Sequence, residues 1–126
     1  MTTGRLPVPW WPLMKQVMAI SVAELRAMSL RMYGDMVKAV VDVELKLLVV
    51  DAELHVDEEQ YLLEHGSQQS ALWGINLHPD KYDTDEFVEF DSMVNIRPSQ
   101  NNMSRNVDDP SLRDRIAEII AGIVTA

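Results

Sequence analysis

The stretch MVKAVVDVELKLLVVDAELHV, residues 36–56, decides the fold. Val37, Ala39, Val41, Val43 and Leu45 alternate with Lys38, Val40, Asp42 and Glu44. Leu48, Val50, Ala52, Leu54 and Val56 then alternate with Leu47, Val49, Asp51, Glu53 and His55. A period of two is that of a strand with one face buried. Two strands joined by a tight turn near residues 45–47 fit this pattern. The turn lacks Gly or Asn-Gly, which leaves its type open. One face of the hairpin is continuously apolar; the other carries Lys38, Asp42, Glu44, Asp51, Glu53 and His55.

Outward from the hairpin, the period changes on both sides. Ser21-Val-Ala-Glu24 has the form of a capping box. Val22, Leu25, Met28 and Met32 follow at helical spacing up to Gly34, so a helix is expected over residues 22–33. Residues 13–20 are mostly apolar and suit a first strand. After the hairpin, Asp57 caps a second helix over 57–66, with Gln60 at the capping-box return and Gly66 as exit. Residues 72–77 and 87–97 read as strands around a solvated acidic turn that lacks the EF-hand order. Asp109-Pro110 opens a last helix with Leu112, Ile116, Ile119, Ile120 and Ile123 as its apolar stripe.

The order β-α-β-β-α-β-β-α implies an α+β fold: a mostly antiparallel, four- to five-stranded sheet with two to three helices on one face. A ferredoxin-like variant is compatible with that order. The expected organisation is a tail over residues 1–12 and a single domain over 13–126. In the tail, Pro7, Pro9 and Pro12 oppose regular structure, and Trp10 and Trp11 favour docking, onto a partner protein or a second copy in a homodimer.

Composition excludes more than it selects. The 126 residues carry 11 Lys and Arg against 20 Asp and Glu, a formal charge of −9, and no Cys. Such a chain repels a phosphate backbone, so neither nucleic acid nor an anionic membrane is an expected partner. Disulfides, zinc fingers and thiol catalysis need cysteine and fall away. No signal-peptide pattern or apolar run of membrane length is present, so a cytoplasmic, bacterial-type protein is the expectation. No cofactor is indicated.

Two polar constellations remain. On the open sheet face, Asp42, Asp51, Glu53 and His55 would meet Glu89, Asp91, Asn95 and Arg97 of the last strand. Glu53, His55 and Asp91 are the candidates for catalysis or metal ligation, with His55 as the titrating group of a metal-assisted hydrolase. The bland alternative is a solvated face laced with ion pairs, Lys38 and Arg97 answering the acids. The second constellation is the loop RPSQNNMSR, residues 97–105. Arg97, Ser99, Gln100, Asn102 and Arg105, with Asn95 before it, offer donors to a small anion. The alternative there is a long connection held by side-chain bonds to backbone. With no catalytic motif, a binding or regulatory module acting through protein contacts is favoured over an enzyme.

Four segments carry a family resemblance: GDMVKAVVDVE (34–44), ELHVDEEQYLLEHGS (53–67), LWGINLHPDK (72–81) and EFDSMVNIRPSQNN (89–102). They resemble a small bacterial and archaeal family, a domain of unknown function. The resemblance implies no activity. It departs at Leu45-Lys46, where a turn with Gly is expected, at Asp51-Ala52, where small residues are usual, and at Met103, where a basic residue is usual.

Overall fold

The computed structural model describes residues 14–126. Its main sheet holds β1 (Lys15–Val17), β3 (Val37–Asp42), β4 (Leu47–Val50), β5 (Leu72–Leu77) and β6 (Val88–Glu89), in the order β1-β4-β3-β5-β6. All neighbours are antiparallel. A second, parallel pair joins β2 (Ile20–Ser21) to β7 (Val124–Thr125). The helices are α1 (Val22–Arg31), α2 (His55–Glu64) and α3 (Pro110–Ile123). The class is α+β with a mostly antiparallel sheet, as the alternation implies. Among the described residues no helix is long and apolar enough to cross a membrane.

The hairpin forms where its period of two predicts it, but its second strand is shorter. Asp42 is buried, and its Oδ1 accepts from the amides of Glu44 and Leu45 at 2.8 Å each, closing the turn. Its Oδ2 accepts from the Ser67 hydroxyl at 2.6 Å. Lys46 completes the turn at φ 57°, and Asp51 ends the strand at φ 72°. Both lie in the left-handed region, which disfavours a Cβ. These are two of the places where the family resemblance expects Gly or small residues.

Two of the three helices share a face, and α2 takes the other. Ala39, Val41, Leu48, Val50, Trp73 and Ile75 pack with Leu25 and Met28 of α1 and Ile116 and Ile120 of α3. The alternate residues Val40, Val49 and Leu72 pack with Leu62 of α2, Met14 and Ala52. Strand order explains the division. β1 and β3 are parallel with β4 between them, and β4 and β5 are parallel with β3 between them. Both crossovers step the same way across the sheet, from oppositely directed strands. Two crossovers of one hand must then carry their helices on opposite faces, and crossovers are overwhelmingly right-handed. In a ferredoxin-like sheet the second crossover steps back beside β1, so both helices share a face. Here β5 pairs with β3, and the central strands are covered on both sides. The open polar face expected for the hairpin is therefore occupied by α2.

The capping box of α1 is present: Glu24 N donates to Ser21 Oγ at 3.1 Å and Ser21 N to Glu24 Oε1 at 3.2 Å. The start of α2 differs from expectation. The helix begins at His55, Leu54 is its N-cap, and no side chain caps it; Asp57 lies within the first turn. The expected strand over 87–97 is also reduced to Val88–Glu89, because the chain then rises over β5 at Gly74. A Cβ there would lie 2.6 Å from the Ser92 side chain and 2.9 Å from that of Val94. Residues Met93–Asn95 and Pro98–Gln100 form single 3-10 turns instead.

Candidate binding cleft

The side chains of Asn95 and Arg97, two residues apart, take the place of the missing strand. Asn95 is fully buried; its Oδ1 accepts from Gly74 N at 2.8 Å and its Nδ2 donates to Gly74 O at 2.9 Å. Its Nδ2 also reaches Arg105 O at 3.0 Å. Arg97 stacks over Trp73, 4.2 Å from the ring centroid, and donates to the carbonyls of Leu72, Gln69 and Val94. Asn102 ties the loop to itself: Nδ2 donates to the carbonyls of Asn95, Ser104 and Asn106, and Oδ1 accepts from Asp108 N. The structure thus gathers Asn95, Arg97 and Asn102 as expected, but turns them inward to backbone.

The anion expected at this loop meets other obstacles. Ser99 and Gln100 are exposed, and Gln100 bonds Arg97 and the Ser70 carbonyl. The hollow beside the loop, about 430 Å³, is lined by Asp108 and Asp109. The Ser104 hydroxyl and Met103 amide hold the Asp108 carboxyl below the usual carboxylate range, so it is charged at neutral pH. Only Arg105 points elsewhere. Its Nε pairs with Asp91 at 2.5 Å, at the edge of a different cavity.

That cavity, about 380 Å³, lies at the start of α2 and is the polar centre of the molecule. Lys38, His55, Asn76, Glu89, Asp91 and Arg105 line it. Three origins bring them together: β3 supplies Lys38, the first turn of α2 supplies His55, and the β5–β6 register sets Asn76 opposite Glu89. Larger hollows flank α3, at about 520 and 410 Å³. Neither is lined by a buried polar or charged side chain, and chemistry favours the smaller cleft.

The groups in the cleft are unequally satisfied. Asp91 pairs with Arg105. Glu89 Oε1 accepts from Asn76 Nδ2 at 3.0 Å and meets His78 Nε2 at 3.1 Å. Lys38 forms no ion pair among the described residues; its Nζ sits 5.0 Å from the Tyr33 ring centroid. Asn76 Oδ1 is buried without a partner. His55 is 7% exposed, and its Nε2 lies 2.8 Å from Ile75 O. A carbonyl only accepts, so Nε2 carries the proton and Nδ1 the lone pair. Burial lowers the His55 pKa below its ordinary value; Lys38 adds to the fall, against the opposing pull of the Ile75 carbonyl, Asn76 and Asp91. The result is an imidazole biased to its neutral form, its tautomer set by the Ile75 carbonyl and Asn76 beside it.

Of the residues expected to carry catalysis or metal, His55 and Asp91 share this cleft and Glu53 does not. The Glu53 side chain is exposed, and its carbonyl accepts from the Tyr33 hydroxyl. Asp51 is buried and pairs with Arg31 at 2.7 Å. Among the described residues no three His, Asp or Glu side chains are placed to hold a metal ion. The expected metal set of Glu53, His55 and Asp91 is thereby corrected: the α2 start turns His55 inward and leaves Glu53 outside.

Sequence reading missed the inner face of α2. His55, Glu58, Glu59 and Leu62 are all buried, at the i, i+3, i+4, i+7 spacing of a helix face. Glu58 accepts from Ala52 N at 3.2 Å, while Glu58 Oε1 and Glu59 Oε2 have no partner. Burial pushes the Glu58 carboxyl well above its ordinary pKa, against the opposing pull of the Ala52 amide and of Lys38. The stripe becomes visible once the helix is started at residue 55 instead of 57.

Fold and site together define a small α+β domain with a polar cleft at a helix start. The model of the family described as "Protein of unknown function (DUF5674)" matches residues 15–123, and the chain belongs to that family. No curated protein and no solved structure matches. Trp10 and Trp11 lie outside the described residues.

Proposed function

We propose that this protein is a binding domain for a small molecule carrying an anionic group, held in the cleft at the start of α2. One observation carries the reading: residues that line the same cavity hold donors and acceptors without partners among the described residues. The first amides of α2, at His55 and Val56, have no intrahelical acceptor, and Leu54 offers no capping side chain. The helix dipole adds positive potential there. Burial biases the Glu58 carboxyl in that first turn towards its neutral form, which weakens its opposition to that potential. Lys38 supplies a cation, while Asn76 Oδ1 accepts from a ligand N–H or O–H group.

Titrating ¹⁵N-labelled protein with acetate and with inorganic phosphate tests this. Saturable shifts at the His55 and Val56 amides, weakened at least about tenfold in Lys38→Ala, are expected; a tenfold loss corresponds to the roughly 1.4 kcal/mol of one charge-assisted hydrogen bond. Absence of saturable shifts with either anion would sink the reading.

The Trp10–Trp11 pair supports a further contact with a partner protein or a second copy. Sedimentation of the full chain beside one lacking residues 1–12 tests it, and identical monomeric behaviour refutes self-association through the tail.

A further inference from the structure

The mouth of the α2 cleft is apolar although its floor is polar. Leu54, Val56 and Met93 are 47%, 51% and 65% exposed, and all three line the cavity with the polar groups. Single exposed apolar side chains are ordinary on a protein surface. Three that line one cavity concentrate exposed apolar surface there, a usual mark of a contact surface. Leu54 and Val56 flank His55, so apolar side chains stand beside the uncapped amides.

Charge limits what the floor accepts. Among the described residues Lys38 forms no ion pair there, while Arg105 is matched by Asp91. Glu89 and Asp91 stand at the same cavity. The charged side chains there, Lys38 and Arg105 against Glu89 and Asp91, sum to zero, so a dianion meets more repulsion from the two carboxylates than a monoanion does. From the apolar mouth and this charge balance we propose that the ligand is a small carboxylic acid with a hydrocarbon chain. Its carboxylate meets the His55 and Val56 amides and Lys38, and its chain lies against Leu54, Val56 and Met93. The assignment rests on the anion-binding reading above. It adds the class of ligand.

The test is a titration series of acetate, butyrate and hexanoate on the full ¹⁵N-labelled chain, with inorganic phosphate alongside. Each methylene that becomes buried should tighten binding about fourfold, from roughly 0.8 kcal/mol per group. Hexanoate should therefore exceed acetate and phosphate. In Leu54→Ala/Met93→Ala, exposed positions that leave the core untouched and bring no capping side chain, the affinities along the series should converge. Acetate and phosphate binding with no dependence on chain length overturns the proposal and leaves the anion site standing. A chain-length dependence that survives the double variant also overturns it. Failure of every anion to bind overturns both readings together.

Discussion

Two polar clusters border β5, and they differ in how their hydrogen bonds are answered. Around Asn95, Arg97 and Asn102, side-chain donors are matched to carbonyls of the chain itself. Around His55, buried Asn76 Oδ1 and the first α2 amides are not. By residue type the first cluster, rich in Arg and Asn, is the better anion site. Hydrogen-bond accounting reverses that choice, because a donor engaged by its own backbone is not available to a ligand. The difference separates a device that holds the sheet edge from a cleft prepared for something else.

The largest expected effect falls on the satisfied cluster. Asn95→Ala orphans the N–H and C=O of Gly74 and leaves the Arg105 C=O with the Ser92 amide alone, and should cost about 3 kcal/mol or more in urea unfolding. A loss below about 1 kcal/mol would show that the cluster does not hold the edge. Glu58→Gln comes next. The folded pKa of Glu58 is raised above its ordinary 4.5, so its contribution is present below that pH and is lost as pH rises towards the folded pKa. The variant should remove a decline of up to about 1.4 kcal/mol per pH unit above pH 4.5. Parallel stability–pH curves for the two proteins would contradict a buried protonated carboxyl.

His55 titrates in the opposite sense. Its folded pKa is lowered from 6.5, so its contribution is present above pH 6.5 and is lost as pH falls towards the folded value. His55→Gln, which keeps a donor for Ile75 O, should change stability at pH 8 by less than about 1 kcal/mol. It should also abolish the part of the acid-side decline that begins near pH 6.5. If the decline is unchanged, the imidazole does not titrate in a buried site. The smallest effect lies at the turn: Lys46→Gly relieves a left-handed residue and should raise stability by up to about 1 kcal/mol, after the entropy of glycine is subtracted. A loss on that substitution would mean the Lys46 side chain holds the turn.

Much of the architecture was legible from periodicity. The capping box, the hairpin and the α3 stripe are local patterns, and each formed where its residues predicted. The face taken by α2 was not legible. It depends on which side of β3 receives β5, a long-range choice that leaves no mark in either strand's own pattern. The start of α2 was obscured because His55 continues the hairpin's alternation while also opening a helix. The alternation through Asn95 and Arg97 was a true signal with a different cause, since side chains spaced by two follow the pleat of β5 without being a strand. His55 and Asp91 were found because alternation put them on the polar face of the hairpin and of the expected last strand. Asn76 was passed over because its unanswered oxygen is a property of register, not of residue type.

The closure of β5 by side chains bears on how these molecules behave in company. β6 covers only Asn76 and Leu77 of that strand, and an uncovered strand edge is a template on which another chain can build. Asn95 and Arg97 answer Gly74 and Leu72 but present no ladder of their own for a further strand to join. The sheet therefore stops growing at this edge, and losing the asparagine would cost solubility as well as stability.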